Sequence, residues 1–113
     1  MQLINKISVS ELHKISKKMS EPLVKGVVDV SNNLLVLDAE MHVDEELLML
    51  ERGSQQTDLW GINLWPGHYG TDSFIEFDSM INIRPWQNNR TRSVDDPELR
   101  ERIAAIVMEK VYE

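Results

Sequence analysis

From Glu76 to Arg84, every second residue but one carries a charged or amide group. Glu76, Asp78, Met80, Asn82 and Arg84 share one parity of the run Phe74–Arg84, and Ile75, Phe77, Ser79, Ile81 and Ile83 share the other. In a β-strand parity sets the face, and same-face neighbours lie about 7 Å apart. The run is therefore expected to be a strand whose polar face lines up two carboxylates, a thioether, an amide and a guanidinium. Two carboxylates at such spacing could serve as acid and base, as in some glycosidases. The same pattern also suits the solvated side of a half-covered sheet, which is far commoner. Water screens charges on an open face. Chemistry there requires a roof from a helix, from the glycine-bearing segment 66–73, or from a second subunit.

The strand pattern runs into Arg84-Pro85-Trp86-Gln87-Asn88-Asn89-Arg90-Thr91-Arg92. Guanidinium forks match phosphate and carboxylate oxygens, and a tryptophan beside them can stack on a base or cover an arginine. The ligand site expected from this stretch comprises Glu76, Asp78, Asn82, Arg84, Asn89, Arg90 and Arg92. The structural alternative is an ion-pair network in which the arginines neutralise Glu76, Asp78, Asp95 and Asp96. There is no GxxxxGK[ST] loop, GxGxxG turn or GxSxG elbow, so no nucleotide fold or serine triad is indicated. His42, Asp44, Glu45 and Glu46 are metal-ligating types. Their spacing matches no known ligand set, and a helix start favours acids anyway, so no metal site is expected. His13 reads as a surface residue. No cofactor is indicated.

The bulk numbers narrow the partners. The chain has 113 residues, no cysteine and a net charge of −7. One domain spanning 1–113 is expected, with enough length for a core. The charge argues against nonspecific nucleic-acid binding, yet Arg84, Arg90 and Arg92 leave room for a local anion site. Without cysteine, disulfides and thiolate zinc sites are excluded. No apolar run is long enough to span a membrane, and MQLINKISVSEL lacks the layout of a secretory signal. A cytoplasmic protein is the expectation.

The positioning elements follow from pattern. Gln2–Ile7 reads as a strand. Ser8 and Glu11 form a capping box for a helix to about Met19, with Leu12 and Ile15 inward. Residues 23–30 and 34–41 read as a hairpin with Asn32-Asn33 as its turn, since asparagine tolerates positive φ. That register sets Val28 opposite Leu37 and Lys25 opposite Glu40. A short helix is expected over Asp44–Arg52, capped by Asp44 and ended by Gly53. Leu59–Trp65 pairs with Phe74–Arg84, placing Trp60, Ile62 and Leu64 in the core and Asn63 beside Asn82 or Asp78. Trp65 and Trp86 are expected to be more exposed than Trp60. Asp96 and Pro97 start a last helix to about Val111, with Leu99, Ile103, Ile106, Val107 and Lys110 on one face and a Glu98–Arg102 pair outside. The fold class is α+β: a small antiparallel sheet with two main helices on one face, in the order βαββ(α)ββα.

Asp58–Leu64 (DLWGINL), Phe77–Pro85 (FDSMINIRP) and Asp95–Glu98 (DDPE) resemble a small prokaryotic family catalogued as a domain of unknown function. The resemblance covers nearly the whole chain, and Trp86 and Asn88 depart from the pattern. It implies a self-contained cytoplasmic domain and transfers no activity. The function expected from the residues is a binding or interaction module, its polar face taking a phosphorylated ligand, RNA or an acidic peptide. The alternatives are a homo-oligomeric structural domain, with a possible homodimer, and a small hydrolase or phosphoryl-transfer enzyme. In the enzyme, Glu76 or Asp78 would act as base, Asn63 and Asn82 would position substrate, and Arg84 would stabilise negative charge.

Overall fold

The alternating runs form the centre of the molecule. In the computed structural model, which describes residues 1–113, strands β1 (Gln2–Leu3), β2 (Ile7–Ser8), β3 (Val24–Asp29), β4 (Leu34–Leu37), β5 (Leu59–Leu64), β6 (Ile75–Glu76) and β7 (Val111–Tyr112) accompany three helices. These are α1 (Val9–Ser16), α2 (His42–Glu51) and α3 (Pro97–Lys110). Five strands make one antiparallel sheet in the order β1-β4-β3-β5-β6. The other two, β2 and β7, pair in parallel apart from it.

The α+β expectation holds, with both main helices on one face. Val24, Val28, Leu35, Leu37, Trp60, Ile62 and Leu64 pack there with Leu12 and Ile15 of α1 and with Ile103, Ile106 and Val107 of α3. The opposite parity of the same strands, Val27, Val36 and Leu59, packs with Met49 of α2. The α1 capping box forms, Ser8 Oγ accepting from the Glu11 N–H while Glu11 reaches back to Ser8. At α3, the Asp96 carboxylate accepts from the Glu98 N–H at 3.0 Å. Arg102 does not pair with Glu98 but donates to the Val30 carbonyl at 3.0 and 3.2 Å. No helix is long and apolar enough to cross a membrane.

The expected hairpin forms with a longer turn. Val28 faces Leu35 and Gly26 faces Leu37, a shift of two residues from the expected pairing. Asp29 causes it. Its carboxylate accepts from the N–H groups of Ser31 and Asn32, from the Asn32 side chain and from Ser54 Oγ at 2.5–3.0 Å, and so closes the turn early. Burial alone would raise the Asp29 pKa, but these donors more than offset it and hold it below the usual aspartate value. A shift of two keeps every side chain on its face. The apolar face therefore survives, and Asn33 takes the positive φ of 58°. The Lys25–Glu40 pair does not form, because β4 stops at Leu37 and Asp38 turns away at φ 73°. The expected N-terminal strand is likewise split between β1, on the sheet edge, and β2.

The eleven-residue strand predicted over Phe74–Arg84 is the main correction. Only Ile75 and Glu76 pair with β5. Beyond them the Asn82 side chain takes the sheet edge: its Oδ1 accepts from the Gly61 N–H at 2.8 Å and its Nδ2 donates to the Gly61 carbonyl at 3.0 Å. An amide that bonds both groups of one strand residue stands in for a ladder partner. Ser79 caps the single 3₁₀ turn, Met80–Asn82, that delivers it. Gly61 makes the approach possible, since a Cβ there would lie 2.5 Å from Ser79 Cβ.

Candidate functional site

On the α2 side of the sheet, one row of side chains crosses three strands. Lys25 of β3 faces Asn63 of β5, and Asn63 faces Glu76 of β6. Adjacent strands lie about 4.8 Å apart, so a cation, an amide and a carboxylate stand in line at one strand spacing each. The row floors a cleft of about 520 Å³, walled by Met41, His42 and Val43 at the start of α2, by Trp65, and by Asp78, Ser79, Met80, Ile81 and Arg92. Met19, Ser20, Glu21 and Leu23 complete the rim.

Asn63 is held tightly. Its Nδ2 donates to Glu76 Oε1 at 2.8 Å and to the Asp78 carbonyl at 3.2 Å, while Trp65 Nε1 donates to the same Glu76 oxygen at 3.3 Å. The residue is 5% exposed; its Oδ1 is shut off from solvent on the His42 side, where the amide and the imidazole interact. Buried amide oxygens are ordinarily satisfied. Rotating the amide would only set its oxygen against two acceptors.

At the wall, His42 Nε2 lies 2.8 Å from the Ile62 carbonyl and donates to it. Burial lowers the His42 pKa below 6.5; the hydrogen bonds to the Ile62 carbonyl and the Asn63 side chain oppose this, and the charge of Lys25 reinforces it. The lowered pKa favours the neutral imidazole, whose Nε2 donates to the Ile62 carbonyl. No side chain caps α2, and in its first turn the Asp44 N–H donates to the Met41 carbonyl at 3.2 Å. At the rim, Arg92 Nε donates to Asp78 Oδ1 at 2.6 Å. Its Nη groups make no hydrogen bond within the protein. Lys25 has no carboxylate within ion-pair distance, the only ion pairs being Arg92–Asp78 and Lys18–Asp38.

Of the residues expected to form the site, Glu76, Asp78 and Arg92 come together in this cleft. Asn82, Arg84 and Asn89 lie buried and bond to backbone, Arg84 through its Nη groups alone. Arg84 donates Nη2 to the Leu59 carbonyl at 2.7 Å and Nη1 to the Gln56 carbonyl, and its guanidinium lies 4.1 Å from the Trp60 ring centroid. Burial lowers its pKa, which neighbouring Glu46 counteracts. Asn89 Nδ2 donates to the carbonyls of Asn82, Thr91 and Ser93, and its Oδ1 accepts from the Asp95 N–H. Arg90 is exposed and lies outside the cleft. Asn63 beside Asp78 follows the expectation. Lys25 and His42 were not expected as site residues. Lys25 already had the right parity on the hairpin, but its neighbour depended on a strand order that parity does not reveal.

The acidic start of α2 does not gather a metal set, and no three histidine or carboxylate side chains converge anywhere. His42 turns to the cleft, Asp44 is exposed, and Glu45 and Glu46 are buried. Burial pushes the Glu45 carboxyl up to about 10, the Ala39 backbone opposing this only in part. Burial also raises Glu46, against the pull of Arg84.

The family model described as "Protein of unknown function (DUF5674)" matches residues 2–110. No curated protein and no solved structure matches the chain.

Proposed function

The chain belongs to the DUF5674 family, and we propose that it is a binding module whose anion-binding polar face is the cleft above β3, β5 and β6. One observation carries this reading: a cleft of about 520 Å³ whose floor sets Lys25, which has no carboxylate partner, in line with Asn63 and Glu76. The volume lies in the range of small-molecule sites, about 300–1,000 Å³. Lys25, the free Nη groups of Arg92 and the uncapped start of α2 supply the positive potential for an anionic group. A phosphorylated or carboxylated small molecule fits better than RNA or an acidic peptide, because a net charge of −7 repels a polyanion. A cysteine-free chain suits a cytoplasmic setting.

The test is a calorimetric or NMR titration with inorganic phosphate. Lys25→Ala and Arg92→Ala should each weaken phosphate binding about tenfold or more, roughly the 1.5–3 kcal/mol of a hydrogen bond to a charged group, with unchanged circular dichroism. Undiminished affinity in both variants would refute the assignment.

A second reading, a small hydrolase or phosphoryl-transfer enzyme, draws support from His42. A neutral imidazole with one nitrogen pinned to a carbonyl and the other unprotonated is provisioned as a general base. On that reading His42 takes the part first assigned to Glu76 or Asp78, each of which has one oxygen engaged, by Asn63 and Trp65 or by Arg92. Hydrolysis of p-nitrophenyl phosphate that disappears in His42→Gln would support it; no turnover would leave binding alone.

A further inference from the structure

We infer that the ligand of the cleft is a small zwitterion: an anionic group at the Lys25 end and a protonated amine at the Glu76 end, about 5–10 Å apart. This rests on the cleft being a binding site and adds the class of ligand. The separation is one to two strand spacings.

The floor is dipolar. Lys25 has no carboxylate partner, and Glu76, two strands away, has no cationic one. Both donors that reach Glu76 go to Oε1, from Asn63 and Trp65; Oε2 receives none and is not buried. Between the two charges the Asn63 amide is committed inside the protein, its Nδ2 to Glu76 Oε1 and the Asp78 carbonyl. A carboxylate or a fully ionised phosphate has no hydrogen to give Glu76 Oε2. An ammonium has three. The charges lining the cleft agree: Glu21, Glu76 and Asp78 outnumber Lys25 and Arg92. A simple anion would deepen that imbalance, while a zwitterion leaves it unchanged and finds an opposite charge at each end.

Matched probe pairs test this on the full chain by calorimetry: phosphoethanolamine against inorganic phosphate, and 4-aminobutyrate against butyrate. The pairs separate a phosphate-ended from a carboxylate-ended zwitterion. In at least one pair the zwitterion should bind tenfold or more tightly than the plain anion. Glu76→Gln, which keeps an acceptor for Asn63, should abolish that ratio. Lys25→Ala should weaken both members. A ratio near one in both pairs while an anion still binds overturns the zwitterion and spares the binding module. A ratio that survives Glu76→Gln also overturns it. Absence of binding by all four probes overturns both.

Discussion

Glu45 is wholly buried, and no side chain donates to its carboxyl; only the Ala39 backbone offers it partial support. An ionised carboxylate in that setting is far costlier than a neutral one, which is why its pKa stands at about 10 against an ordinary 4.5. The folded protein therefore holds a proton there that the unfolded chain releases above pH 4.5. The stability this proton represents is complete at acid pH and drains away as pH rises toward 10. Glu45→Met keeps the side-chain length and removes the proton. The variant's advantage in unfolding free energy should grow by roughly 3 kcal/mol between pH 4.5 and 7 and continue to grow to about pH 10. Urea titrations of both proteins at three pH values measure it, and parallel pH profiles would count against a buried neutral carboxyl. The sequence showed Glu45 only as one acid in a helix start, where a surface position was the natural expectation. Burial of one helix face against the sheet is a tertiary fact, and it turns a dipole-stabilised anion into an acid.

The segment from Asp78 to Asp95 shows how an element can be fixed without regular structure. Two asparagines hold it: Asn82 pins it to Gly61 and the Arg92 carbonyl, and Asn89 ties the Asn82, Thr91 and Ser93 carbonyls to the Asp95 N–H. Both were expected as ligand contacts, since asparagine reads amide-like edges equally well. Asn89→Ala should cost about 2–4 kcal/mol by stranding buried backbone groups, seen as a Tm lower by about 10 °C or more. Arg90→Ala, at an exposed guanidinium one residue away, should leave the Tm within about 2 °C. Comparable Tm losses in the two variants would mean that the loop is not held by its amide. The alternation of Phe74–Arg84 was real in the sequence, but period two also suits a chain that peels off after two residues and returns a side chain to the edge. Asn82 won that competition because Gly61, twenty-one positions earlier, left room for Ser79.

At the scale of the whole molecule, the two ends close one core. Ile7 pairs with Val111 in the parallel β2–β7 ladder, both are buried, and both join the cluster shared by α1, α3 and the sheet. The Lys6 ammonium adds a bond to the Glu109 carbonyl. Val111→Asp should lower stability by more than about 3 kcal/mol without changing the denaturant dependence, because sheet and helices unfold as one unit. A second transition, or a lower dependence, would show that the terminal ladder is a separable appendage.

Several features were determined by the sequence alone: the α+β class, the two helices on one face, the capping box, the Asp96 cap, and the core parity of Trp60, Ile62 and Leu64. These depend on periodicity and capping, whose partners lie within a few residues. The tertiary structure alone decided the strand order, the two-residue register shift made by Asp29, the length of β6, and the meeting of Lys25, His42, Asn63 and Glu76. Parity says which way a side chain points, but not which strand lies beside it. Placing β3 between β4 and β5 set Lys25 next to Asn63, and the cleft exists because of that adjacency.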